Sequence, residues 1–228
     1  MKRLPFFITY LFVFCSFIAL QEKKCLCEEE EKLAKAGLVD IQTIDPTILV
    51  DLKYSTTDNF VGVDVYGCIT RCFMQKKPAQ QLADANKYLK AKNADLRLLV
   101  YDGVRSRTVQ QILWDTLKAP LKLKPNFVAD PKKGSIHNYG CAVDLTIATK
   151  EGKALDMGTK FDYFGDLAYP TKETQMLKLG KLTQQQINNR KLLRDVMQKA
   201  GYQPIKSEWW HFNALSLEKA KKTYKIVE

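Results

Sequence analysis

Histidine occurs only twice in this chain of 228 residues, and each time a carboxylate stands close by. His137 lies in SIHNYGCAVD (135–144), seven residues ahead of Asp144, and His211 lies in SEWWHF (207–212), three residues after Glu208. Two neutral imidazoles and a carboxylate are the ligands a catalytic zinc ion takes, with a further position left open for water. His137, Asp144 and His211 are therefore the candidate ligands of one Zn2+ per chain, since no other histidine can complete the set. Glu208 is then free to act as general base, taking a proton from the zinc-bound water, whose pKa the metal lowers to about 7.

These side chains must be positioned by regular elements. In CAVDLTIAT (141–149) the alternation puts Val143, Leu145 and Ile147 on one face of a strand, so Asp144 projects from the other. Asn138 and Gly140 supply turn chemistry that folds His137 back towards Asp144. On a regular strand, residues three apart face opposite sides, so a bulge or tight bend is expected between Glu208 and His211.

Elsewhere TILVDLKYS (47–55) and ADLRLLVYDGV (94–104) are predicted strands, and PAQQLADANKYLKAKN (78–93) is a predicted helix with Leu82, Ala85 and Leu89 on one face. A second helix is predicted from near Arg105, with Val109, Ile112, Leu113 and Leu117 in register, ending at Pro120. Three prolines in 120–134 mark a surface loop. A third helix starts at a capping box of Thr183 and Gln186 and stops at Gly201.

Composition limits the function classes. A chain that is 46% hydrophobic supplies a real core, which excludes disorder. The net charge of +11 suits an anionic environment, yet the lysines are scattered and no RNA-binding signature appears, so no nucleic-acid partner is expected. Lys2 and Arg3 precede the apolar run FFITYLFVFCSFIAL (6–20), whose 15 residues match a signal-peptide core better than a membrane span of roughly 20. Residues 1–20 are thus a signal peptide or N-terminal membrane anchor, and membrane contact is confined to them. Residues 21–37 are expected as a charged linker and 38–228 as the catalytic domain, in an exported, periplasmic or envelope-associated protein. After export, the cysteines at 25, 27, 68, 72 and 141 can oxidise; Cys68 and Cys72 stand four apart, a spacing that suits a disulfide or two small buried residues on one helix face.

The combination SxHxxGxAxD (Ser135, His137, Gly140, Ala142, Asp144) with ExWH (Glu208, Trp210, His211) resembles the signature of the D-alanyl-D-alanine metallopeptidases of the LAS type. DLKYSTTDNFVG (51–62), YDGVR (101–105), DMGTKFDYF (156–164) and GYQPIKSEWWHF (201–212) narrow the resemblance to the VanX-like D-alanyl-D-alanine dipeptidases, over nearly everything from about residue 40 onward. The resemblance implies His137, Asp144 and His211 as zinc ligands, Glu208 as catalytic base, and Arg105 as the cation that holds the scissile carbonyl oxygen as it becomes an oxyanion. It also implies that Ser135, Tyr54 and Asp162 bind the charged ends of the dipeptide. One departure stands out: the family pattern DGYRP is DGVRSR here (102–107), with Val104 and Ser106 in place of an aromatic residue and a turn-stiffening proline, a change that bears on how Arg105 is placed and on dipeptide specificity.

The expectation is a single α+β domain, helices packed on a central, mostly antiparallel sheet that carries a zinc cleft, acting on a small D,D-dipeptide in cell-wall precursor or D-amino-acid metabolism. A zinc D,D- or L,D-carboxypeptidase trimming peptidoglycan stems is the alternative within enzymes. A non-catalytic zinc-bearing wall-binding module is the alternative outside them, but a structural zinc needs neither Glu208 nor Arg105 and favours a closed four-ligand shell.

Overall fold

The computed structural model describes residues 26–228, apart from 119, 120, 123 and 127. The expected leader, Cys15, Cys25 and the helix-ending Pro120 lie outside the described residues.

Seven strands and six α-helices are described: α1 (Glu28–Lys35), β1 (Leu38–Asp40), β2 (Leu49–Val50), β3 (Phe73–Gln75), α2 (Lys76–Lys92), β4 (Leu96–Asp102), α3 (Arg107–Thr116), β5 (Ala142–Thr149), α4 (Glu173–Lys178), α5 (Gln184–Lys199), β6 (Gln203–Pro204), β7 (His211–Asn213) and α6 (Leu217–Thr223). The main sheet has the order β2-β4-β5-β7-β6 and is antiparallel except for the β2–β4 pair; β1 and β3 form a separate antiparallel ribbon. This is the expected α+β architecture. The helices at 78–93 and 184–199 appear as α2 and α5, the latter opened by the Thr183–Gln186 capping box. The strand expected over 47–55 shrinks to Leu49–Val50 and gives way to a 3-10 turn over Lys53–Ser55, because only that short stretch finds a partner in β4. The second helix ends at Thr116.

α2 and α5 pack on one face of the sheet, where Val143, Leu145 and Ile147 meet Leu82, Leu89, Leu193 and Met197 in one buried cluster. Burying such aliphatic side chains contributes about 1.5–3 kcal/mol each, which is what anchors β5. β5 is buried on both faces along all but its last residue, so Asp144 projects away from the apolar face as expected, but into protein rather than bulk water.

Within the expected linker 21–37, the described residues depart from that reading. Residues 28–35 fold as α1, with Leu33 buried against Leu38, Phe73 and Val104. Glu30 is buried because its carboxylate accepts from the backbone N–H groups of Thr70 (2.9 Å) and Arg71 (3.1 Å). Cys27 forms a disulfide with Cys68, while Cys72 and Cys141 are free and buried. The Cys68–Cys72 alternative is thereby excluded. Among the described residues no helix is long and apolar enough to cross a membrane.

Candidate active site

Register brings the polar side chains together. Asp144 on β5 pairs with Asp102 on β4 and with His211 on β7, so three residues form one row across the sheet. The β4–β5 ladder is irregular between Val100 and Asp102. Val100 opposes Leu145 on the core side, whereas Asp102 opposes Asp144, so the extra residue, Tyr101, turns Asp102 onto the cavity face. His137 comes from a 3-10 turn over Ile136–Tyr139, opened by Ser135, whose hydroxyl accepts from the His137 N–H (3.3 Å), and closed by Gly140 at φ +63°. A Cβ at Gly140 would also lie 2.7 Å from Leu38, so glycine is required twice over. Glu208 precedes a bend at Trp209 and Trp210, just before β7 begins, which is the tight bend expected between it and His211.

His137, Asp144 and His211 each offer a ligand atom within 4.8 Å of the others. Their hydrogen bonds fix which atoms face inward. His137 Nδ1 donates to the Gly103 carbonyl (2.7 Å), leaving Nε2 as a lone pair; His211 Nε2 donates to Asn213 Oδ1 (2.8 Å), leaving Nδ1 as a lone pair. Those two lone-pair atoms lie 3.2 Å apart, with Asp144 Oδ1 2.9 Å from His211 Nδ1 and Oδ2 3.5 Å from His137 Nε2. Three electron-rich atoms converging without a proton between them repel one another unless a cation sits among them. Imidazole and carboxylate donors suit zinc. Burial by itself would raise the Asp144 carboxyl, yet the two histidines hold it well below its usual range; against the cost of its own burial, His137 is raised by Asp144.

Around this centre stand the other candidates. Glu208 Oε2 lies 3.9 Å from His211 Nδ1, and 22% of the Glu208 side chain stays exposed, which leaves it reachable from the cavity. Burial and the charges of Asp144 and Asp162 push its carboxyl up to about 7, against the pull of His211. Arg105 is buried, its Nε donating to Asp102 Oδ2 (3.0 Å), Nη2 to the same oxygen, and Nη1 to Gln110 Oε1 (3.1 Å). A guanidinium has five N–H donors, so two remain uncommitted beside the cavity that Arg105 lines. Asp102 in turn accepts at Oδ1 from the Tyr66 hydroxyl and the Gly103 N–H. Tyr54 donates to Asp162 Oδ2 (2.8 Å), and burial, helped by Asp144, pushes the Asp162 carboxyl up to about 8. Asp162 is the only non-glycine residue with positive φ (57°) among those described, a conformation aspartate tolerates better than most residues.

The DGVRSR departure is accommodated by hydrogen bonding. Arg105 N–H donates to the His137 carbonyl (3.2 Å), the Arg105 carbonyl accepts from Asn138 Nδ2 (2.8 Å), and the Val104 N–H donates to Phe73 (2.9 Å). Ser106 caps α3 by accepting from the Val109 N–H (3.1 Å). These bonds supply the stiffness a proline would have given. Arg107 points elsewhere, to Glu228 (3.1 Å).

All eight residues singled out from the sequence, Tyr54, Arg105, Ser135, His137, Asp144, Asp162, Glu208 and His211, line one cavity of about 280 Å3. Four supporting residues escaped the sequence reading: Tyr66, Asp102, Gln110 and Asn213. Only Asp102 stood in a quoted motif, and no spacing announced its bond to Arg105.

The model of peptidase family M15, described as D-ala-D-ala dipeptidase, matches residues 34–226. The D-alanyl-D-alanine dipeptidase of Escherichia coli is 33% identical over 175 residues, 77% of this chain and 83% of that protein. That of Enterococcus faecalis is 26% identical over 180 residues, 72% of this chain and 85% of that protein. Among solved structures, VanYB in complex with D-alanine-D-alanine aligns with a TM-score of 0.39 at 17% identity, over 67% of this chain and 77% of that one. By its family match and its Escherichia coli relative, this chain belongs to the D-ala-D-ala dipeptidase family of peptidases.

Proposed function

We propose that this chain hydrolyses D-alanyl-D-alanine to free D-alanine, using one zinc ion held by His137, Asp144 and His211. The observation that carries the choice of substrate is the Tyr54–Asp162 pair in the wall of the same cavity. A dipeptide brings its ammonium close to the bond being cut, and burying that charge unpaired costs several kcal/mol, so an anionic partner is required. The cavity, at about 280 Å3, is also small beside the ~300–1,000 Å3 of sites for drug-sized ligands.

Bound zinc would supply a water acidified to a pKa of about 7 and would polarise the scissile carbonyl. The chain's own groups do the rest. Glu208 accepts a proton from the attacking water and passes it to the departing amine nitrogen, so that water and peptide become an acid and an amine. Arg105, held by Asp102 and Gln110, directs its uncommitted N–H groups at the carbonyl oxygen as negative charge develops there. Asp162 takes the substrate ammonium, with Tyr54 fixing the carboxylate's orientation. Ser135 lines the cavity beside them and is assigned to the substrate carboxylate.

Export fits the same picture. The Cys27–Cys68 disulfide belongs to an oxidising compartment, and residues 1–20 carry the pattern of a signal peptide or anchor, which supports an envelope location and a role in cell-wall or D-amino-acid turnover.

The test is D-alanine release by the zinc-loaded protein from D-Ala-D-Ala, from its N-acetyl form and from a stem pentapeptide. The free dipeptide should be cut with far higher kcat/KM. Equal rates on the acetylated compound or the pentapeptide would replace this reading with a carboxypeptidase.

A further inference from the structure

Most of α1 lies ahead of the residues the family match covers, and its contacts lead to the active site. Cys27 binds it covalently to Cys68, and Glu30 receives the N–H groups of Thr70 and Arg71. Both attachments therefore grip one segment, residues 65–72. That segment is also held by Tyr54, whose carbonyl accepts from the N–H groups of Val65 (2.9 Å) and Tyr66 (3.1 Å), and by Ser55, whose hydroxyl donates to Ile69 (2.6 Å). Tyr66 is its buried end. The Tyr66 ring meets Tyr54 edge-on at 5.9 Å, and its hydroxyl donates to Asp102 and lies 3.2 Å from the Val104 carbonyl. One side chain thus braces both Tyr54, the partner of Asp162, and Asp102, the partner of Arg105. Leu33 of α1 packs in the same cluster as Val104, the residue standing in place of the aromatic in the DGVRSR departure, so α1 also supports the Arg105 turn directly.

We propose that α1, strapped by Cys27–Cys68 and Glu30, is a positioning element for Arg105 and Tyr54, acting through Tyr66. Reduction of Cys27–Cys68 consequently lowers catalytic efficiency without releasing the metal. The inference rests on the dipeptidase reading for its kinetic arm only. A trialkyl phosphine reduces the disulfide to two thiols, becoming the phosphine oxide with oxygen taken from water.

The experiment compares oxidised protein, phosphine-treated protein, Cys27→Ser and Tyr66→Phe, all as the full chain loaded with zinc. Reduction and Cys27→Ser should each lower kcat/KM by about tenfold, short of the ~10²-fold that a 1 Å misplacement can cost. Zinc content should stay unchanged, and phosphine should have no further effect on Cys27→Ser. Tyr66→Phe keeps the ring against Tyr54 but loses the hydroxyl on Asp102, so it should lower kcat more than it raises KM, with the disulfide intact. Amide hydrogen exchange over residues 101–107 should quicken on reduction and in Cys27→Ser. Wild-type kcat/KM in both variants with only Tm lowered, zinc loss on reduction, or unchanged exchange over 101–107 would each overturn the proposal. An oxidised protein that cuts no dipeptide would sink the functional reading, and the exchange measurement would still decide the strap.

Discussion

Arg105 is the residue whose removal should do two different things at once, and the structure allows them to be separated. Its guanidinium pairs with Asp102, which is fully buried and once Arg105 is gone keeps the Tyr66 hydroxyl and the Gly103 N–H as hydrogen-bond donors, with His137 Nδ1 3.7 Å away. Breaking one side of a buried ion pair costs about 3–5 kcal/mol, because the remaining charge stays out of water without a counter-charge. Arg105→Ala should therefore lower unfolding stability by roughly that amount, followed by urea titration on the fluorescence of the buried Trp209 and Trp210. Independently, kcat should fall by about 10²–10³, the effect of losing one oxyanion donor. Adding Asp102→Asn removes the stranded charge while leaving an acceptor oxygen for Tyr66 and Gly103, so the double variant should recover about 1 kcal/mol or more of stability. It should recover no activity. If Arg105→Ala costs under about 1 kcal/mol and Asp102→Asn restores nothing, the buried pair is not what holds this turn. A kcat within about threefold of wild type would remove Arg105 from the oxyanion role.

Other outcomes follow from the same geometry. Glu208→Gln should keep its zinc while kcat falls by about 10² or more; loss of metal by elemental analysis would make Glu208 a ligand instead. His137→Ala and His211→Ala should each lose zinc on dialysis, and stoichiometric metal in the double variant would refute the site. In metal-free protein Asp162 is raised from 3.8 to about 8, so its contribution to stability is complete below the unfolded value and is lost as pH rises through that window. Asp162→Asn, which tolerates the positive φ, should flatten the fall in Tm between those pH values, and an unchanged pH profile would contradict the raised carboxyl. The Cys27–Cys68 bridge spans 41 residues, for which chain entropy gives about 4 kcal/mol, so Cys27→Ser should lower the urea midpoint, with a steeper slope because the unfolded chain without the bridge exposes more surface.

The clustering of His137, Asp144 and His211 was legible because histidine is scarce here and each copy sits in a motif with fixed offsets to a carboxylate. Helices α2 and α5 were legible from 3.6-residue periodicity and, for α5, a capping box. Tyr66 was not, since it acts across 36 residues of separation through a bond that exists only once the fold is formed; Gln110 and Asn213 are only 5 and 2 residues from their partners but stood in no quoted motif. Asp102 shows why most clearly. Alternation from Val100 would put it on the core side, and only the irregularity at Tyr101 turns it towards Arg105. The acidic run 28–31 misled for a related reason: its solvent-facing members look like linker, while Glu30 finds two backbone donors forty residues away in sequence. Local composition carries no record of such a partner.

The charge balance of the cavity ties these observations to its chemistry. Asp102, Asp144, Asp162 and Glu208 crowd four carboxyl groups around a single guanidinium. Asp102 is matched by Arg105, and Asp144 by the two histidines. For Asp162 and Glu208, burial together with Asp144 outweighs the pull of Arg105 on both and of His211 on Glu208, and pushes the carboxyls up, to about 8 and about 7. A divalent metal ion beside Glu208 and a substrate ammonium beside Asp162 are the two positive charges that would relieve them. On the proposed reading these groups would recognise metal and dipeptide, and an uncharged amide at the position of the ammonium would leave Asp162 buried without relief. Under the proposed dipeptidase function, discrimination against longer peptides would come from these buried carboxyls as much as from the size of the cavity.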